Sequence, residues 1–145
     1  MKKITNKLFL SKVLFFIILI NPTISKSNDV PQMSFEDFIF AYTDYKGSNV
    51  IVKGAAFNMW TSPSDKRAAM CESALCKEGV YVKFDKMETT EYKKLFLSCK
   101  ENGVKSQDQN SLSTYYCGIG DALLRVRSIS GSTKAWVLKI KITER

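Results

Sequence analysis

The sequence predicts a mainly β chain: five short strands curled into one closed sheet, with a helix between the third and fourth strands and a short helix ahead of the first. Three observations carry this. Stretches such as residues 80–85 and 122–127 alternate apolar and polar side chains with a period of two, the pattern of strands with one buried face. Glycines interrupt two strand-like stretches, at Gly54 and at Gly118 and Gly120, where a sheet that closes on itself needs bends. A single apolar helical stripe, Tyr92, Leu95, Phe96 and Cys99, stands among the strands, whereas a parallel α/β sheet would need repeated helices.

The chain has 145 residues, enough for one modest core, and its 45% hydrophobic and 25% charged content is that of a globular protein. Its first 25 residues read as a secretory signal peptide. Lys2, Lys3, Lys7 and Lys12 precede an unbroken apolar run over residues 13–20, Asn21-Pro22 breaks the helix, and Thr23-Ile24-Ser25 supplies small residues for cleavage. The apolar run is short of the roughly 20 residues a membrane span needs, which sets the signal peptide above the alternative of an uncleaved anchor. Once these four lysines are set aside the formal charge falls from +8 to +4, a mild excess that permits an anionic partner without requiring one. Residues 26–32 form a polar leader, and a single domain spans 33–145.

Taken in order, the domain opens on a helix. Ser34 is an N-cap with Asp37 three residues on, Met33 and Phe38 form a hydrophobic staple, and Phe35, Phe38, Ile39 and Tyr42 make one stripe that ends near Tyr42. After a turn at 44–48, residues 49–59 are a long strand whose apolar parity changes at Gly54, from Val50 and Val52 to Ala55, Phe57 and Met59, as a bulge would cause. Residues 60–67 are a loop and 68–71 a short strand. Residues 80–87 are the third strand, with Val80, Val82 and Phe84 inward. Thr89 or Thr90 caps the second helix, and Asn102-Gly103 stops it. Residues 106–113 are a surface loop, and a strand begins at Tyr115 in which Ala122, Leu124 and Val126 face inward. After a turn at Gly131, residues 135–143 are the last strand, with Trp136, Leu138, Ile140 and Ile142 inward.

One helix between the third and fourth strands of a five-stranded closed sheet is the element order of the OB-fold, a β-barrel in which that helix plugs one end. On YKGSNVIVKG, on VYVKFDKM followed by TTEYKKLFLSC, and on the cysteine that opens GIGDALLRVRS, the chain resembles the small exported OB-fold-like proteins of Gram-negative bacteria, a largely uncharacterised group. The resemblance covers most of the domain. Its motifs are structural and carry over no catalytic residue. The Cys71/Cys76 pair and the long segment between Cys99 and Cys117 depart from it.

Export bears on the cysteines. Cys71, Cys76, Cys99 and Cys117 are an even number in an oxidising compartment, the pattern of disulfides. Proximity favours Cys71–Cys76 and Cys99–Cys117, the latter contributing about 3 kcal/mol by closing its loop. The alternative, four thiolate ligands on zinc, lacks the paired C-x2-C spacing of such sites.

With no histidine in the chain, Ser–His–Asp triads, Cys–His pairs and HExxH zinc sites are excluded, and no spacing of carboxylates or lysines points to catalysis. The sequence therefore predicts a non-catalytic binding module without a cofactor, periplasmic or secreted, contacting a protein or an anionic envelope polymer. Its candidate ligand face is Lys53, Lys83, Arg125 and Arg127, outward on strands, with Trp60 and Tyr81 as stacking surface. Lys139 and Lys141 also point outward, with Asp85 the main opposing acid. Two alternatives share the fold: an OB-fold subunit of a secreted toxin or adhesin that binds host glycans, and a nucleic-acid-binding OB domain, which export disfavours. Outward strand charges also serve solubility and edge protection alone.

Overall fold

The computed structural model describes residues 29–77, 79–103, 105–107, 113–127 and 133–145; the expected signal peptide, residues 26–28 of the leader and the turn at Gly131 lie outside these. The elements are β1 (Gln32–Ser34), α1 (Phe35–Ala41) running into a 3-10 turn (Tyr42–Tyr45), β2 (Asn49–Trp60), β3 (Arg67–Cys71), β4 (Gly79–Lys83), α2 (Thr89–Asn102), β5 (Lys105–Gln107), β6 (Ser113–Val126) and β7 (Thr133–Glu144). The chain is mainly β with two helices, as expected. Its strand number among the described residues is seven, not five.

Five of the seven strands form a ring. They follow one another as β2, β3, β4, β7 and β6, and β6 returns to β2. Every junction is antiparallel except β4 with β7, which is parallel. The two additional strands flank the ring, β1 parallel to β2 and β5 antiparallel to β6. Both come from segments with no alternation to mark them: Gln32 from the polar leader, and residues 105–107 from the stretch after the helix stop at Asn102-Gly103, where the sequence predicts a surface loop from residue 106. Backbone pairing recruits them, since Ile51 donates its N–H to the Pro31 carbonyl at 2.8 Å and Lys105 to Gln107 register with Tyr115 to Ser113, and in β1 Met33 also packs on the core.

Local chemistry sets the element ends. Ser34 caps α1, its hydroxyl accepting from the Asp37 N–H (3.1 Å) and donating to the Asp37 carboxylate (2.8 Å). The cap of α2 is Glu88 instead of Thr89 or Thr90. Its carboxylate takes both the Thr90 and the Glu91 N–H at 2.9 Å, two orphan donors where a threonine hydroxyl would take one. β4 ends at Lys83, short of residue 87, because the chain turns at Phe84, where the Met87 N–H donates to the Phe84 carbonyl (3.0 Å). Asp85 therefore lies in this turn and not on a strand.

Irregularities in the long strands let the sheet curl. Gly54 (φ 64°) lies in the register break of β2 against β6, where the apolar parity changes. Gly118 (φ 119°) faces the end of β7 so closely that a Cβ there would collide with the Glu144 carbonyl oxygen. A third irregularity carries no glycine: Leu123 pairs with Lys139 but Leu124 with Val137, leaving Leu138 as the extra residue. It corrects the parity expected for β7. Ala135 and Val137 are the fully buried positions, Ile140 and Ile142 pack against the core beyond the bulge, and Trp136 faces outward.

The core inside the ring is built from Phe57, Met59, Met70, Val82, Phe84 and Leu124, each at most 1% exposed, with Phe38 of α1 packed into the same cluster. The α2 stripe is as expected, with Tyr92, Phe96 and Cys99 buried and Leu95 half-buried. Its rings continue the core in a chain, Phe84 to Tyr92 (5.5 Å), Tyr92 to Phe96 (6.2 Å) and Phe96 to Tyr115 (6.2 Å). Cys71 bonds to Cys76 and Cys99 to Cys117, with Cα separations of 5.0 and 4.6 Å. These bonds leave no thiolate for the four-cysteine zinc alternative. No helix among the described residues is long and apolar enough to cross a membrane.

Candidate ligand face

Strand register fixes which side chains share the outside of the ring. Val82 pairs with Ala68 and with Ala135, and Ala135 with Val126; all four are fully buried and mark the inner side. The adjacent row must then point outward. It runs Arg67 on β3, Lys83 on β4, Trp136 on β7, Arg125 on β6 and Asn49 on β2, each in register with the next. Trp60 follows Arg67 at the other end, one residue past the Met59–Ala68 pair. Across an antiparallel or parallel sheet such neighbours stand about 5 Å apart, so the row is one continuous surface.

Cations and rings interleave along it. The Arg67 guanidinium lies 3.6 Å over the Trp60 ring, while Asp65 pairs with it at 2.9 Å. Trp136 carries the Arg127 guanidinium at 5.3 Å and the Lys86 ammonium at 5.7 Å. Arg125 donates to the Asn49 side-chain oxygen at 3.3 Å and is otherwise exposed. Just outside the row, Lys134 stands 5.5 Å over Tyr42. The loop at 61–66 beside the face is held down by Tyr92, whose hydroxyl donates to the Pro63 carbonyl (3.1 Å); burial, then the nearby Asp65 and Asp85, raises the pKa of that phenol.

Of the six residues the sequence singled out, Lys83, Arg125 and Arg127 come together here, and Tyr81 stands one row away, its ring edge-on to Trp60 at 5.8 Å. Trp60 itself is not a loop aromatic. It ends β2 and is 6% exposed, covered by Arg67 and Tyr81, so it supports the face without offering a ring to a ligand. Lys53 is elsewhere: it pairs with Asp121 at 2.8 Å, and the same carboxylate accepts from the Gly54 N–H at 3.1 Å, which pins the β2 bulge. The Lys53 hydrogen bond holds the Asp121 carboxyl below the usual carboxylate range; burial opposes it, and the Gly54 N–H adds a lesser downward pull. Sequence reasoning missed Trp136 and Arg67. The first was hidden by the unmarked bulge at Leu138, the second by its position at the edge of a loop.

Comparison of the chain with protein-family models, with curated proteins and with solved structures finds no match.

Proposed function

We propose that the chain is an exported, non-catalytic binding module with an OB-type barrel, and that it holds an anionic polymer against the outer row Arg67–Lys83–Trp136–Arg125. The ring order β2, β3, β4, β7, β6, with one parallel junction and a helix between β4 and β6, supports the OB reading. The two disulfides support export to an oxidising compartment. The observation that carries the function is the file of cations that begins with Arg67 and Lys83 on β3 and β4, the side OB-folds use for extended ligands, and continues past a half-buried Trp136 on β7 to Arg125 on β6. Repeating negative charge would meet Lys83, Arg125 and Arg127 in turn, and a sugar or base ring would stack on Trp136.

Chromatography on an immobilised sulfated polysaccharide tests this. The wild-type chain should elute at clearly higher salt than Lys83→Ala/Arg125→Ala, because each lost contact removes counterion release from the equilibrium. Removing equal charge from the exposed outside of α2, in Lys93→Ala/Lys100→Ala, should change elution far less. Equal effects of the two double variants would refute the assignment and leave only a generally basic surface.

A further inference from the structure

β4 and β7 are unequal partners. β4 is five residues long and β7 twelve, and their parallel pairing covers only Thr133 to Trp136. Beyond Trp136, β7 has no strand beside it on that side among the described residues. The chain leaves β4 through the turn at Phe84 and enters α2, which packs on β6. A groove of about 460 Å³ opens between α2 and the second half of β7, with the Cys99–Cys117 bridge in its lining.

One face of the helix lines it: Glu91, Lys94, Leu95 and Ser98 stand at i, i+3, i+4 and i+7. Opposite are Lys139, Ile140 and Ile142. Leu95, Ile140 and Ile142 pack against the core on one side and remain partly in water on the other, so the floor is apolar and unfinished. Arg145 reaches across to α2 and donates to the Ser98 hydroxyl at 2.6 Å, beside the disulfide. The walls thus bring three cations, Lys94, Lys139 and Arg145, against one acid, Glu91. The volume falls within the range of small-molecule sites.

We infer that this groove binds a single-chain anionic amphiphile, its alkyl chain on Leu95, Ile140 and Ile142 and its charged head against Lys139 and its neighbouring cations. An apolar floor of Leu95, Ile140 and Ile142 rewards chain length, and the excess of positive charge selects an anion over a neutral or cationic head. The site is separate from the outer row, since none of Lys83, Trp136 and Arg125 lines it.

Titration of the purified protein with octanoate, decanoate and 1-decanol, each below its aggregation limit, tests the inference by calorimetry and amide chemical shifts. Decanoate should bind one per chain. Its affinity should exceed that of octanoate by about fifteenfold, from roughly fourfold for each of the added methylenes, and that of 1-decanol by about tenfold, the worth of one charge-assisted hydrogen bond. Shift changes in the unmodified protein should concentrate in 91–98 and 139–145. Lys139→Ala should weaken decanoate about tenfold and leave 1-decanol unchanged, and since Lys139 is exposed the fold is not at stake. Absence of saturation, affinity independent of chain length, or shifts centred on Trp136 would each overturn the inference; independence of chain length would point to an extended peptide paired along the open side of β7.

Discussion

Removing each disulfide separately tests what holds this small ring together. The Cys99–Cys117 bridge joins the end of α2 to β6 across 18 residues, whereas Cys71–Cys76 spans five. In the chain-entropy account the first constrains the unfolded state by about 3 kcal/mol and the second by about 2 kcal/mol. Packing adds to the gap only through one sulfur, because Cys99, Cys117 and Cys71 are all buried while Cys76 is half-buried in the loop after β3. Cys99→Ala/Cys117→Ala should therefore lose at least 3 kcal/mol in urea denaturation, a fall in Tm of about 10 °C, and Cys71→Ala/Cys76→Ala about 2 kcal/mol. Alanine is the right replacement, since serine would leave an unpaired hydroxyl in an apolar site. Reductant should bring the wild type down by more than either variant alone. If the Cys71/Cys76 variant were the less stable of the two, loop closure would not be the dominant effect and the reasoning would fail.

Trp60→Phe should stay within about 1 kcal/mol of wild type by urea midpoint, because it removes a buried indole N–H that has no acceptor among the described residues, whereas Trp60→Ala should cost about 3 to 5 kcal/mol. Gly118→Ala combines a left-handed φ with a collision at the Glu144 carbonyl and should cost at least about 2 kcal/mol by the same measurement. The folded pKa of Asp121 is depressed, so its pairing with Lys53 and Gly54 contributes fully above the unfolded pKa of about 4 and is lost as pH falls from there through the lower folded pKa. Asp121→Asn should flatten that part of the acid profile by less than about 1 kcal/mol, the pair being largely in water. Glu88→Ala should speed amide exchange at Thr90 and Glu91, the two N–H groups it caps, without altering exchange in β6.

What the sequence discloses depends on whether an irregularity leaves a chemical mark. The bulge in β2 is legible because a glycine sits where the parity of Val50 and Val52 gives way to that of Phe57 and Met59. The bulge in β7 is carried by Leu138, an ordinary strand residue, and it reverses the reading of Trp136. The disulfide pairs and the α2 stripe were readable because proximity and a 3.6 period survive folding unchanged. β1 and β5 were not, since three residues of backbone pairing impose no side-chain pattern. The candidate ligand face was half visible. Lys83, Arg125 and Arg127 follow from alternation, but only the register of β3, β4, β7 and β6 shows that Arg67 and Trp136 stand with them.

The parallel junction of β4 and β7 also sets a clock. The ring cannot close until its last strand arrives, and that strand occupies residues 133–144 of 145. Until then the apolar sides of β4 and β6 lack the neighbour that joins them. The Cys99–Cys117 bond has no such wait, because both sulfurs precede β7 in the chain. In a chain that emerges from its N-terminus, the tether of α2 to β6 can therefore form before the strand that joins β4 to β6 is available, and a chain cut short by a dozen residues is expected to keep its disulfide while its sheet stays open.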